Sequence, residues 1–253
     1  MKRRLLVLLS FALLGALMFA LLKGFGKNPR EVPFKLLGSP APAFSKPTLD
    51  GGQLSLEALR GRPVVINFWS SWCAPCAEEA PALESAFRKW GKQVAFVGVV
   101  FEDTEANARS FLRRHPASYP QLFSPVSTMA IDYAVTGVPE TYFLNEEGSI
   151  VGKYPAPILS AAQFDFLLVD FRIKDTLRKT PKPEEVWLRE LLLSPSGLED
   201  VWLREVFLQN PGLKEFWLLN ALHANPKLKE ALLKDTQTAQ ALHQNPHFKT
   251  LFP

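Results

Sequence analysis

Val64-Val65-Ile66-Asn67-Phe68-Trp69 runs through Ser70-Ser71-Trp72 into Cys73-Ala74-Pro75-Cys76. The first six residues are apolar apart from Asn67, the pattern of a strand buried on both faces. Beyond Cys76, Ala80, Leu83, Ala86 and Phe87 recur at helical spacing as far as Trp90, and Pro81 is expected to kink that helix. A helix opens with unpaired amides and the positive end of its macrodipole, so a thiol placed there is biased toward thiolate. Cys73 is therefore the expected attacking sulfur. Cys76, one turn deeper, is the expected resolving thiol.

Other uses of two cysteines are weaker. A zinc site needs two further ligands, and the surrounding body offers only His115 among histidines. A structural disulfide across two residues closes so small a loop that it restrains little chain. With only two Cys in 253 residues, a multi-disulfide scaffold is excluded. No metal and no cofactor is expected.

Working outward, Asp50-Gly51-Gly52 is a turn between short strands, and residues 55–60 suggest a helical turn capped by Ser55. Residues 94–101 form a second apolar strand. Residues 104–114 read as a helix with Ala108, Phe111 and Leu112 on its apolar side. Residues 141–144, the turn 145–148 and residues 150–154 read as a hairpin, and residues 161–177 as a closing helix. Strands alternating with helices, then a hairpin and a helix, predict an α/β body with a mixed sheet.

The ends differ from this body. Residues 5–22 carry no charge and follow Met1-Lys2-Arg3-Arg4; as a helix they would span roughly 27 Å. An uncleaved membrane anchor is the preferred reading, a signal peptide the other. Lys2, Arg3 and Arg4 nearly balance Lys23, Lys27 and Arg30 across the span, but either reading exports the body. Five prolines in residues 28–47 read as an extended tether. From residue 179 the character changes again: Trp187, Trp202 and Trp217 recur every 15 residues, and Val186-Trp187-Leu188-Arg189-Glu190 returns as Val201-Trp202-Leu203-Arg204-Glu205. Asn210-Pro211, Asn225-Pro226 and Asn245-Pro246 fit an N-cap followed by proline at the first helical position. Four or five short amphipathic helices are expected, with the tryptophans forming a core between them or a groove for an unfolded client segment. The expected domains are thus an anchor or signal peptide (1–27), a tether (28–47), the α/β body (48–178) and an all-α extension (179–253).

The formal charge is +4, and Lys and Arg are spread without forming a stripe, so a nucleic-acid partner is not expected. The extension carries 8 basic and 9 acidic residues from Pro181 on, which argues against electrostatic capture. Pro246 interrupts the His243/His247 pair, so a helical two-histidine ligand site fails.

The stretch from Phe68 to Cys76 resembles the active site of the thioredoxin fold. Residues 37–44, residues 59–69 and Gly137-Val138-Pro139-Glu140-Thr141-Tyr142-Phe143-Leu144 are similar to the TlpA/ResA/DsbE branch of that fold. That branch consists of membrane-anchored, exported thiol-disulfide oxidoreductases, several serving cytochrome c maturation. The resemblance spans roughly residues 28–169. It implies that Pro139 is a cis-proline facing the dithiol and aligning a substrate strand, with Val138 and Glu140 beside it. It implies that Glu79, one turn beyond Cys76, takes up the acid–base role that thioredoxin gives to a buried aspartate where this chain has Asn67. Trp72 would shield the sulfurs and offer a stacking face. Residues 100–102, Val-Phe-Glu, lack the Asn-Tyr-Lys of some members, which leaves the partner surface open.

The function so implied is reduction of protein disulfides on the outer face of a membrane, by a single-pass protein whose catalytic domain faces the periplasm or extracytoplasmic space. The substrate would be apocytochrome c or a maturation thiol protein. Because two cysteines cannot recharge themselves, a membrane electron donor of DsbD or CcdA type is implied. The direction of electron flow is not readable from Ala74-Pro75. Two other functions stay open: a peroxiredoxin-like thiol peroxidase, for which Ser70 approximates a Thr-x-x-Cys pocket, and a client-binding module acting through the C-terminal helices.

Overall fold

A computed structural model describes residues 35–124, 128–179 and 209–244, together with Leu14, Gly15, Met18, Phe19, Leu188, Leu203, Val206 and Phe207. Two compact units result, residues 1–35 and residues 36–253. In the first, Leu14, Gly15, Met18 and Phe19 are helical, and Leu14, Met18 and Phe19 are exposed. The rest of the apolar run lies outside the described residues. Among those described, no helix is long and apolar enough to cross a membrane.

The second unit opens with two short antiparallel strands, β1 (Ser45–Pro47) and β2 (Gln53–Ser55), paired Ser45 to Ser55 around the expected turn. The following turn is a 3-10 helix, Glu57–Leu59. Ser55 Oγ accepts from the Ala58 amide at 3.3 Å, although Leu56, not Ser55, occupies the cap position. The five-stranded sheet then builds from the middle. Its strands are β3 (Val64–Trp69), β4 (Ala95–Val100), β5 (Gln121–Leu122), β6 (Glu140–Leu144) and β7 (Ile150–Tyr154), in the order β5-β4-β3-β6-β7. β3 pairs parallel with β4 and antiparallel with β6, so the sheet is mixed as expected. All six residues of β3 and of β4 are buried, because helices cover both faces.

Those helices are α1 (Ala74–Trp90), α2 (Glu105–Arg114), the short α3 (Thr128–Asp132) and α4 (Ala161–Lys179). α1 continues through Pro81 and buries Cys76, Glu79, Ala82, Leu83, Ala86 and Trp90. Its far end is tied to α4 by Asp165, which accepts from Trp90 Nε1 at 2.6 Å and pairs with Lys89 Nζ at 2.6 Å. α2 is capped by Thr104, whose hydroxyl accepts from the Asn107 amide at 3.2 Å. Gly98 makes room at the β4–β5 boundary: a Cβ there would sit 1.8 Å from Gln121 Oε1. That oxygen accepts from Trp69 Nε1 at 2.9 Å, so the missing side chain on β4 lets β5 hold the last residue of β3.

Residues 36–47, read as part of a tether, lie along the body instead. The Gly38 amide donates to Ile150 O at 2.7 Å and the Ala41 amide to Gly148 O at 2.9 Å, while Ala41 and Phe44 are buried. Prolines favour the extended backbone that such an edge needs as much as they favour a free linker.

The C-terminal extension belongs to the same compact unit. Its described helices are α5 (Pro211–Ala224), α6 (Pro226–Leu233) and α7 (Thr236–Gln244). Trp217 is 4% exposed and its Nε1 donates to Asp170 Oδ1 of α4 at 3.2 Å. Phe216 meets Phe166 edge-on, and one buried cluster joins Phe164, Leu168 and Ile173 to Leu218, Leu222, Leu232 and Leu242. Trp217 thus packs against the body; Trp187 and Trp202 lie outside the described residues. Asn210 precedes α5 as expected but makes no side-chain cap; its amide donates backward to Val206 O at 3.0 Å. Asp235 takes that role for α7, its Oδ1 accepting from the Thr238 amide at 2.9 Å. His223 sits in the last turn of α5, with Nδ1 3.0 Å from Leu219 O.

Candidate active site

Cys73 is the N-cap of α1 and Cys76 lies in its first turn; the two are joined as a disulfide, with Cα atoms 5.3 Å apart. Both are buried, at 5% and 2% exposure. The Cys76 amide donates to Cys73 Sγ at 3.1 Å. An amide at a helix start aimed at a sulfur is the contact that favours thiolate once the bond is reduced.

The three residues ahead of Cys73 are each tied to the loop after β4. Ser70 Oγ donates to Phe101 O, the Ser71 amide donates to Asp103 Oδ2 at 2.7 Å, and Trp72 Nε1 donates to Glu102 O at 3.1 Å. Partial burial pushes the Asp103 carboxyl up, but hydrogen bonds from Ser71, Thr104 and Asn107 outweigh it and hold the group below its ordinary value. Asp103 was not apparent from the sequence; a loop acid following a strand carries no local signal of its target. Trp72 is 60% exposed, with its ring 6.5 Å from Phe101. It therefore flanks the disulfide as an open aromatic face.

Behind Cys76, Glu79 is 1% exposed. Asn67 Nδ2 donates to its Oε1 at 2.8 Å and the Ile158 amide to its Oε2 at 3.1 Å. Burial raises its pKa to about 7 against the opposing pull of those two bonds. Glu79 and Cys76 line one cavity of about 20 Å³, shared with Asn67 and His115. A carboxyl poised near neutrality beside a buried thiol can accept that thiol's proton.

The Val138-Pro139 peptide is cis. Val138, the first residue of this cis ledge, packs against the buried cluster that holds Trp69, Cys73 and Cys76. Glu140 is placed differently from a solvent-facing recognition residue. It is 2% exposed; Lys153 Nζ lies 2.9 Å from Oε2, and Thr136 Oγ1 donates to Oε1 at 2.6 Å. Its carboxylate is used within the body, behind the ledge.

Residues 37–153 match the AhpC/TSA family. Over 160 residues the chain is 37% identical to the thiol:disulfide interchange protein DsbE of Allochromatium vinosum, covering 62% of this chain and 86% of that one. The chain belongs to the DsbE/ResA family of thiol-disulfide oxidoreductases. The thiol-disulfide oxidoreductase ResA of Bacillus cereus is 28% identical over 155 residues, 60% of this chain and 88% of the relative. A solved structure of dsbF from MTB is 28% identical, covers 52% of this chain and 94% of its own, and has a TM-score of 0.46. In this chain, Cys73 and Cys76 stand joined as a disulfide at the head of α1.

Proposed function

We propose that this enzyme reduces protein disulfides outside the cytoplasm, tethered by residues 1–27, and that its substrates are apocytochrome c or a maturation thiol protein. The observation that carries the reading is the buried Glu79 carboxyl beneath the Cys73–Cys76 pair, since a resolving thiol needs a proton acceptor. The cytochrome setting rests on the resemblance of the Cys73 and Pro139 motifs to the TlpA/ResA/DsbE branch. The membrane setting rests on the uncharged run of residues 5–22.

In the reaction, the Cys73 thiolate attacks one sulfur of the substrate disulfide, and the other sulfur leaves as a thiolate that takes a proton from water. Pro139 and Val138 hold the substrate strand beside the mixed disulfide, with Trp72 at its edge. The Cys76 thiol then gives its proton to Glu79 and attacks Cys73 Sγ. The second substrate thiol is released, and the enzyme is left as the disulfide, two electrons poorer. A dithiol donor in the membrane, of DsbD or CcdA type, returns those electrons. The direction follows the chemistry of the substrate: haem attaches to a dithiol, whereas an exported compartment oxidises one.

A Cys76→Ser variant tests this by stranding the mixed disulfide on Cys73. Recovery of an apocytochrome or a maturation thiol protein by mass spectrometry is the expected result. Recovery of many unrelated exported proteins overturns it in favour of general oxidation or isomerisation. A thiol peroxidase is the second reading, favoured by the AhpC/TSA match. Against it, the Ser70 hydroxyl is bound to Phe101 O. Consumption of hydrogen peroxide by the reduced enzyme decides between them.

A further inference from the structure

The buried ion pair behind the cis-proline has a second attachment. Lys153, on β7, stands beside Tyr142 of β6 in the sheet register. Its Nζ lies 2.9 Å from Glu140 Oε2, donates to Ala134 O at 3.1 Å and sits 5.3 Å from the Tyr142 ring centroid. Ala134 and Glu140 are the two ends of the segment that carries Val138 and Pro139. Ala134 has φ 51°, a conformation a non-glycine residue seldom holds without support. Within the segment, Glu140 Oε1 accepts from the Thr136 amide at 3.2 Å and from Thr136 Oγ1 at 2.6 Å. One ammonium group thus grips both ends of the turn, and one carboxylate closes it from inside. The side chains of Lys153 and Glu140 are only 12% and 3% exposed, so solvent screens the pair little.

We propose that Lys153 is a positioning residue that fixes the Val138–Pro139 ledge for protein substrates. This rests on the reading that the ledge aligns a substrate strand. Lys153 acts through backbone placement and does not touch the sulfurs. Its loss should weaken docking without altering sulfur exchange once a substrate is bound. A small error in the placement of a binding element is felt strongly in this kind of step.

The test is steady-state reduction of insulin by the full chain in detergent, comparing Lys153→Met, Lys153→Arg, Thr136→Val and Pro139→Ala. The expected result is a rise in KM of about tenfold for Lys153→Met with kcat within about twofold. Lys153→Arg should restore most of the wild-type KM. Lys153→Met leaves Glu140 buried without its cation, so it can fail to fold. Thr136→Val keeps the ion pair and should raise KM in the same sense by a smaller factor. If Pro139→Ala raises KM while Lys153→Met and Thr136→Val leave it unchanged, the inference about Lys153 is wrong and the docking reading survives. If Pro139→Ala also leaves KM unchanged, the docking reading itself fails. A fall in kcat with KM constant assigns Lys153 to something other than positioning.

Discussion

Asn67 Nδ2 donates to Glu79 Oε1 at 2.8 Å, from the centre of β3 to the first turns of α1. The same amide also donates to Thr141 Oγ1 at 3.1 Å on β6. A neutral amide in the sheet therefore orients the Glu79 carboxyl without adding a second negative charge beside it. Both groups are buried, so the bond fixes Glu79 in a single pose.

Glu79 should make stability depend on pH in a defined direction. Its folded pKa is raised to about 7 by burial, so the folded state holds the proton more tightly than the unfolded chain. The stability linked to that proton is complete below about pH 4.5 and is lost as pH rises through 7. Glu79→Gln should abolish a loss of up to about 3 kcal/mol between pH 5 and pH 8.5. Denaturant melts of the oxidised protein at both values check this. An equal loss in wild type and variant contradicts it. The same variant should slow closure of the Cys73–Cys76 bond by at least about tenfold.

Asp103 should matter through the loop it holds. Asp103→Ala removes the acceptor of the Ser71 amide, two residues ahead of Cys73. A loss of about 1–3 kcal/mol in stability is expected, with a fall of about tenfold in kcat/KM for insulin reduction. Thermal melts and reduction assays on one preparation measure both. Wild-type values for both quantities would show that the loop stands without this bond.

Trp217 should stabilise the whole unit. Truncation to Ala empties a buried aromatic site between α5 and α4 and removes the bond to Asp170. The expected loss is about 3 kcal/mol, or roughly 10 °C in Tm. Insulin reduction well below the transition should stay within about twofold of wild type. A Tm unchanged by Trp217→Ala would mean that the extension is not part of the body's core.

Much of this was legible in the chain, and the gaps have physical causes. Val64 to Trp69 announced a central strand because burial on both faces leaves an unbroken apolar run. The resemblance points to Glu79, and helical spacing agrees, since three residues past Cys76 is one turn. β5 is silent in the sequence because its two residues, Gln121 and Leu122, are too few to carry a periodicity. The docking of residues 36–47 is not legible because an edge segment and a free linker share proline-rich composition. The ion pair of Glu140 is not legible in the sequence, because Lys153 lies 13 positions on and is brought near by the β6–β7 register. Asp103 and Ala134 O are tertiary partners that sequence spacing does not reveal.

On the proposed reading, Cys73 is an activated thiol at the mouth of α1, with Cys76 and Glu79 beneath it. The most direct measurement is the pH dependence of iodoacetamide alkylation of the reduced full chain, with the modified residue identified by peptide mapping. Cys73 should react first and titrate clearly below the ~8.5 of a free cysteine, with Cys76 reacting slowly. A Cys73 that titrates like free cysteine, or a Cys76 that reacts first, would contradict it.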